Sequence, residues 1–255
     1  MSTALITGAS SGIGAGFARR LAALGYHLVI VSRDDERLTL LARELREKWR
    51  VDVEVLPADL STDDGCGAVE TRVADSNRPI DMVVNNAGFG LGIDVLHSDI
   101  EAEDRMLRVM VRAPMRISKA ALPGLIQRGH GDLIMVASTA GLVSHNSYGA
   151  TKSWAIRFSQ AMSVKLAGTG VRAIALCPGL TRTEFHQRGN VATGRVPAWM
   201  WLDVDRVVDE CLRDLRNGKT ISVPSKRYKI IARVGRALPT SVVAKVAGLR
   251  RPAAI

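Results

Sequence analysis

Apolar positions along the chain fall into short continuous runs, separated by longer stretches with helical spacing. The runs lie at residues 3–7, 28–31, 51–56, 81–84, 132–137, 171–176 and 220–223. A strand buried on both faces shows such a run, and not alternation, because neither side meets water. One helical pattern passes through Phe17, Leu21 and Leu24 to a stop at Gly25. Further helices are predicted over about 35–49, 64–77, 103–128, 148–167 and 203–216, the last stopped by Asn217-Gly218. Strands alternating with helices predict an α/β fold: a doubly wound, seven-stranded parallel sheet with helices on both faces. No linker, repeat or low-complexity segment interrupts residues 1–225, so they are expected to form a single domain, with residues 226–255 as a tail.

Composition adds a few exclusions. The chain has 255 residues, 47% hydrophobic and 24% charged, which suits one domain with a full core. Cys66, Cys177 and Cys211 are odd in number and lack any CxxC or Cys/His pairing, so a reducing compartment is expected and a zinc site is not. His97, His130, His145 and His186 show no metal-ligand spacing either. The N-terminus lacks a basic segment followed by a long apolar one, and no run is long enough to span a bilayer, so a cytoplasmic protein is expected.

The net charge of +10 changes the picture once it is located. Residues 1–214 hold 25 Lys and Arg against 25 Asp and Glu, whereas residues 215–255 hold ten basic residues and no acid. The body is neutral, which argues against a nucleic-acid partner.

Two constellations carry candidate chemistry. Behind the first strand stands Gly8-x-x-x-Gly12-x-Gly14, glycines that let a backbone approach a pyrophosphate at a helix N-terminus. Arg33, after the second strand, occupies a place where a basic residue accommodates the 2′-phosphate of NADP and an acid would hold the ribose of NAD. Asp59 in Ala58-Asp59-Leu60 falls where an adenine contact is expected, and equally suits a cap ahead of Ser61-Thr62. The second constellation is Tyr148-Gly149-Ala150-Thr151-Lys152, a phenol and an ammonium one helical turn apart. A nearby ammonium is expected to draw the phenol pKa down toward neutrality, making the pair an acid/base device.

Together the stretches Thr7-Gly8-Ala9-Ser10-Ser11-Gly12-Ile13-Gly14, Asn85-Asn86-Ala87-Gly88, Ser138, Tyr148-x-x-x-Lys152 and Pro178-Gly179-x-x-x-Thr183 resemble the motifs of the short-chain dehydrogenase/reductase family. Order and approximate distances match over residues 3–223, and the likeness extends to its NADP-dependent 3-oxoacyl- and ketosteroid-type reductases. The resemblance implies a Rossmann-type catalytic domain that moves hydride between NADP(H) and a carbonyl or alcohol. It implies Tyr148 as general acid/base, Lys152 on the nicotinamide ribose, and Ser138 on the substrate oxygen. Gly8, Ser10, Ser11, Gly12, Ile13, Gly14, Arg33, Asp59 and Leu60 would hold the adenosine and phosphates. Asn86, Ala87, Gly88, Tyr148, Lys152, Pro178, Gly179, Thr181 and Thr183 would line the rest of the cofactor. Homodimers or tetramers through the two long helices are a further implication.

The chain departs from the family pattern twice. Met110 stands where an asparagine commonly extends a proton relay from the lysine to water, and a thioether cannot relay a proton. The ten-residue interval from Ser138 to Tyr148 is short, which puts the facing of Ser138 in question and makes Thr139 a stand-in. These departures leave a second reading open, an NADP-binding protein with little turnover acting as a redox-responsive partner.

Two segments bear on the substrate. Residues 184–202, with Phe185, Trp199, Met200 and Trp201, suit either a lid over a lipophilic acyl-chain or steroid-like carbonyl substrate or ordinary packing. In the tail, Ile230, Ile231, Val234 and Leu238 share one helical face opposite Lys226, Lys229, Arg233 and Arg236. A second apolar stripe begins with Val242, Val243, Val246 and Leu249 after Pro239. The tail therefore suits either docking on the body or a peripheral membrane contact through residues 226–251.

Overall fold

A computed structural model describes residues 1–93, 95–143, 146–185 and 197–237. Strands β1 (Thr3–Thr7), β2 (His27–Ser32), β3 (Val53–Pro57), β4 (Met82–Asn85), β5 (Gly131–Val136), β6 (Val171–Leu176) and β7 (Ile221–Ser222) form one parallel sheet in the order β3-β2-β1-β4-β5-β6-β7. The strand order reverses between β1 and β4, where crossovers leave in opposite directions and open a crevice beyond the strand ends.

Alternate side chains of each central strand feed opposite cores. Ala4 and Ile6 pack with Phe17 and Leu21 of α1 (Gly12–Ala23), with α2 (Asp35–Trp49) and with α7 (Val204–Arg216). Leu5, between them, faces α3 (Asp63–Ala74) and α5 (Ala113–Arg128) on the other side. α6 (Ser147–Lys165) covers β5 and β6 through Ala155 and Ile156. Caps set several helix starts: Asp34 accepts from Arg37 N, Thr62 from Gly65 N, and Asn146 from Gly149 N. α3 stops at Ala74, earlier than the expected 77, because Asp75 accepts from Asn77 N and from the Arg78 guanidinium in a turn.

The long helix expected over 103–128 starts earlier and is interrupted. α4 (Ile100–Leu107) runs into a π-helical turn at Arg108–Arg112 before α5 begins. Pro114 explains the widening, since it has no N–H to offer the Met110 carbonyl four residues back. The Ala113 N–H bonds instead to Arg108 O, five residues back, and buried Met110 sits on the bulge.

The start of the tail packs on the body. In α8 (Lys226–Ala237), Tyr228 is buried, donates to Met200 O and accepts from Leu180 N. Its ring lies so close over Gly179 that a Cβ there would fall 2.1 Å from the ring. The second apolar stripe and Leu238 lie outside the described residues. Gly179→Ala should therefore undock α8, costing about 1–3 kcal/mol and exposing the Lys226–Lys229 region to trypsin. Gly67→Ala, in open space on α3, is the control that should leave the melting temperature unchanged or raised.

Candidate active site

The crevice is held open by a staple between two strand ends. Thr7 Oγ1 at the end of β1 accepts from Asn86 N and Ala87 N, 3.0 and 3.1 Å away, just past β4. Asn86 Nδ2 returns two bonds, to Thr7 O and Gly8 O. These bonds fix the glycine turn with Gly8 and Gly12 at φ +65° and +56°, a backbone that side chains disfavour. A Cβ on Gly8 would meet the Ala87 backbone at 2.9 Å.

The cleft above this turn gathers nearly every residue singled out in the sequence. Gly8, Ser10, Ser11, Gly12 and Ile13 line one end, beside Arg33, Asp59 and Leu60. Asn86, Ala87 and Gly88 form the floor, and Pro178, Gly179, Thr181 and Thr183 the far wall. Gly14 is the exception: it is buried behind the turn, where a Cβ would fall 2.2 Å from Gly8 O. Its contribution is close packing of helix on turn, not a place on the cleft wall.

At the adenine-side end, Arg33 is exposed and lies 3.9 Å from Asp59. Burial pushes the Asp59 carboxyl up, but bonds from Ser61 and the charges of Arg33 and Arg105 outweigh it and leave the carboxyl below its ordinary value. Asp59 thus serves the turn before α3, whose cap is Thr62. Sequence reasoning missed Arg37, which also lines the cleft and pairs with Glu184 at 2.8 Å. Its signal was available: Arg37 lies in the first turn of α2, directly after the Arg33 loop.

The opposite end holds the acid/base candidates. Ser138 follows β5 by two residues, and its side chain lies close enough to Tyr148 to lower the phenol pKa. The short interval closes because residues Thr139–Leu142 wind into a 3₁₀ turn, with Gly141 pressed on the backbone of Lys152 and Ser153. A Cβ on Gly141 would fall 2.5 Å from the Lys152 carbonyl carbon. Thr139 lines the cleft too, but Ser138 is the residue that faces the phenol. Lys152 is 6% exposed and donates to Val136 O at 2.8 Å. Its Nζ lies 5.7 Å from the centroid of the Tyr148 ring.

The electrostatics reverse one expectation. Desolvation in the cleft pushes the Tyr148 phenol up to about 12, against a lowering by the nearby Ser138 hydroxyl. The same desolvation brings Lys152 down to about 8. The phenol is not drawn toward neutrality, because withdrawal from water outweighs the lowering by Ser138.

The remaining cleft wall is apolar. Phe185 leans on Tyr148 with ring centroids 5.6 Å apart. Phe89, Leu142, Met200, Ile230, Ile231 and Val234 continue the lining. The tail's apolar face, as far as it is described, is thus turned to the cleft rim, a placement that helical spacing alone left open. His145 and His186 lie outside the described residues, as does all of the segment between Phe185 and Pro197. Among the described residues, no cluster of metal-ligating side chains occurs and no helix is long and apolar enough to cross a membrane.

Comparison with known proteins agrees with this geometry. The family model "short chain dehydrogenase" matches residues 2–192. An NADP-dependent 3-hydroxy acid dehydrogenase of Salmonella typhi is 36% identical over 189 residues, 71% of this chain and 73% of that protein. A short-chain dehydrogenase of Sphingobium yanoikuyae, solved in complex with NADPH, superposes with a TM-score of 0.86 at 32% identity, covering 100% of this chain and 98% of that one. A bulky-bulky ketone specific alcohol dehydrogenase of Comamonas testosteroni gives a TM-score of 0.80 at 30% identity, covering 100% and 97%. The chain belongs to the short-chain dehydrogenase/reductase family. It is an NADP-dependent oxidoreductase with a Rossmann-type fold. The glycine turn, with its exposed Arg33 and Arg37 beside it, fits that cofactor's pyrophosphate and 2′-phosphate.

The buried ammonium has a consequence for stability. The ordinary lysine value is 10.5 and the folded value about 8, so the folded protein sheds this proton first. Across that window the unfolded chain binds more protons, and the stability contributed by Lys152 rises with pH; below it the full cost of the buried charge is present. Tyr148 shifts in the opposite sense, and its effect is confined to pH above about 10. Denaturant unfolding of wild type and Lys152→Met should therefore show wild type gaining stability on the variant as pH rises from about 8 to about 10. A constant difference would contradict the shift.

Proposed function

We propose that the protein is an NADPH-dependent reductase of bulky, lipophilic ketones or aldehydes. The observation that supports this reading most is the convergence of Ser138, Tyr148 and Lys152 at the head of a cleft whose remaining wall is apolar. Bound NADPH supplies the hydride to the carbonyl carbon. Negative charge then grows on the carbonyl oxygen, where the Ser138 and Tyr148 hydroxyls serve as donors. Tyr148 gives its proton to that oxygen. A phenol held up to about 12 is fully protonated at neutral pH, yet still more acidic than the alcohol being formed, which suits reduction better than oxidation. Lys152 would hold the nicotinamide ribose and offer the charge that receives the phenolate.

In this reading Gly8, Ser10, Ser11, Gly12 and Ile13 hold the pyrophosphate, and Arg33 with Arg37 the 2′-phosphate. Ile230, Ile231 and Val234 of α8, together with Phe185 and Met200, cover the substrate's apolar part, so the tail's described apolar face serves the cleft in place of a lipid surface. Residues 1–225 are the catalytic domain, and the basic tail completes its cleft. The bulky ketones named for the Comamonas enzyme support the substrate class. The family's habit of assembling through its long helices supports a dimer or tetramer, and Met115 and Val164 are exposed on them. Cys66, Cys177 and Cys211 are buried thiols that form no disulfide with one another, which supports a cytoplasmic setting.

Met110 favours the low-turnover alternative. The placement of Ser138 beside Tyr148 in one cleft favours turnover, because the short loop does not carry the serine away from the phenol. A panel of ketones of increasing bulk separates the two: steady NADPH oxidation, best with the largest apolar members and weak with NADH, is expected. Tight NADPH binding without turnover across the panel would overturn the proposal. Tyr148→Phe should lower kcat by at least ~10²-fold with NADPH affinity nearly unchanged. Arg33→Ala should raise the KM for NADPH roughly tenfold and leave that for NADH alone.

A further inference from the structure

Beneath the cleft floor, β4, the π turn and α6 enclose a cavity of about 10 Å³. That is room for a single water molecule. Its wall includes Asn85, Met110 and Lys152, with Thr7 nearby. Asn85 is 6% exposed, and its Oδ1 is buried without a hydrogen-bond partner among the described residues. The orientation of this amide is fixed by its neighbours. Ser118 Oγ spends its proton on Pro114 O at 2.6 Å, so toward Asn85 it can only accept, and Nδ2 must be the atom 3.1 Å from it. Oδ1 is therefore the free acceptor, and a buried acceptor without a partner is costly. Lys152 has the complementary surplus: an ammonium carries three protons, and the bond to Val136 O uses one.

We infer that Asn85 Oδ1 and Lys152 Nζ hold one water between them in this cavity, and that Asn85 thereby takes over, from the adjoining strand, the positioning task left vacant by Met110. Gly88 joins the two sides: a Cβ there would lie 3.4 Å from Met110 and 3.5 Å from Lys152 Nζ. The thioether fills the side of the cavity where a relay amide would stand, and the amide of Asn85 supplies the acceptor from the neighbouring wall. An acceptor-bound water beside the ammonium partly restores its solvation and favours the charged form that the nicotinamide ribose and the phenolate need. Asn85 acts through Lys152, so it is a positioning residue. The titratable groups facing Lys152 among the described residues are Tyr148 on its own helix and Cys177 beyond the end of β6. Neither is altered by substitution at residue 85.

This inference rests on the placement of Lys152 in the acid/base group, but its test does not require turnover. The ammonium is titrated directly by NMR in full-length protein carrying ¹³Cε-lysine, with the Lys152 signal assigned by Lys152→Arg. Asn85→Leu, which keeps the branching of asparagine but has no acceptor, should move the Lys152 titration acidward by about one pH unit. Asn85→Asp, which offers a charged acceptor, should move it alkaline by a similar amount. Met110→Asn, which adds a second polar group to the same cavity, should also move it alkaline and remains informative if the leucine variant does not fold. Titrations unmoved in every folded variant, whatever their melting temperatures, would overturn the inference. Absence of ketone reduction by wild type would instead count against the proposed function and leave this readout intact.

Discussion

A lysine ammonium withdrawn from water beneath the cleft floor is the constraint on which the rest of the site depends. Lys152 reaches there because α6 starts beside the cleft, capped by Asn146, and crosses β5 with Val136 O as acceptor. The cost of that burial appears as the fall of its pKa to about 8, and the same dry cleft lifts Tyr148 to about 12. Both groups are thereby moved toward states useful for reduction: a phenol that keeps its proton and an ammonium that can respond to its surroundings. Gly141 permits this arrangement, since a side chain there would press on the backbone of Lys152 and Ser153.

Much of the fold was legible in the sequence because doubly buried strands leave a strong signature. The runs at β1, β2, β4, β5 and β6 are apolar with almost no interruption, and they proved to be the centre of the sheet. The motif residues were legible for a related reason: glycines and hydroxyls at fixed distances mark strand-to-helix turns. Spacing could not convey local electrostatics. The Tyr148–Lys152 interval suggested a lowered phenol pKa, whereas desolvation, a property of the whole cleft, raised it. The π turn escaped as well, although Pro114 was its visible cause once the Met110 carbonyl was considered. Gly14 was assigned to the cofactor from its place in a motif, and its role is to pack against Gly8 O.

The tail shows how an amphipathic pattern acquires its meaning from the partner it meets. Ile230, Ile231 and Val234 make one apolar stripe, and a stripe alone does not distinguish lipid, core or ligand. Tyr228 decides the orientation of α8 by burying its ring over Gly179 and tying Leu180 to Met200. That docking turns the stripe toward the cleft mouth, where it extends the apolar wall begun by Phe185. Cofactor end and substrate end are then built differently. Backbone and arginine line the first, and side chains from two late segments of the chain close the second.

The proposed reduction requires that Tyr148 stand protonated at neutral pH as the proton donor. Ultraviolet difference titration of tyrosinate, with Tyr148→Phe as the reference, measures this directly. Identical titrations are expected for the two proteins up to about pH 9. A tyrosinate signal near pH 7 in wild type that is lost in the variant would contradict it.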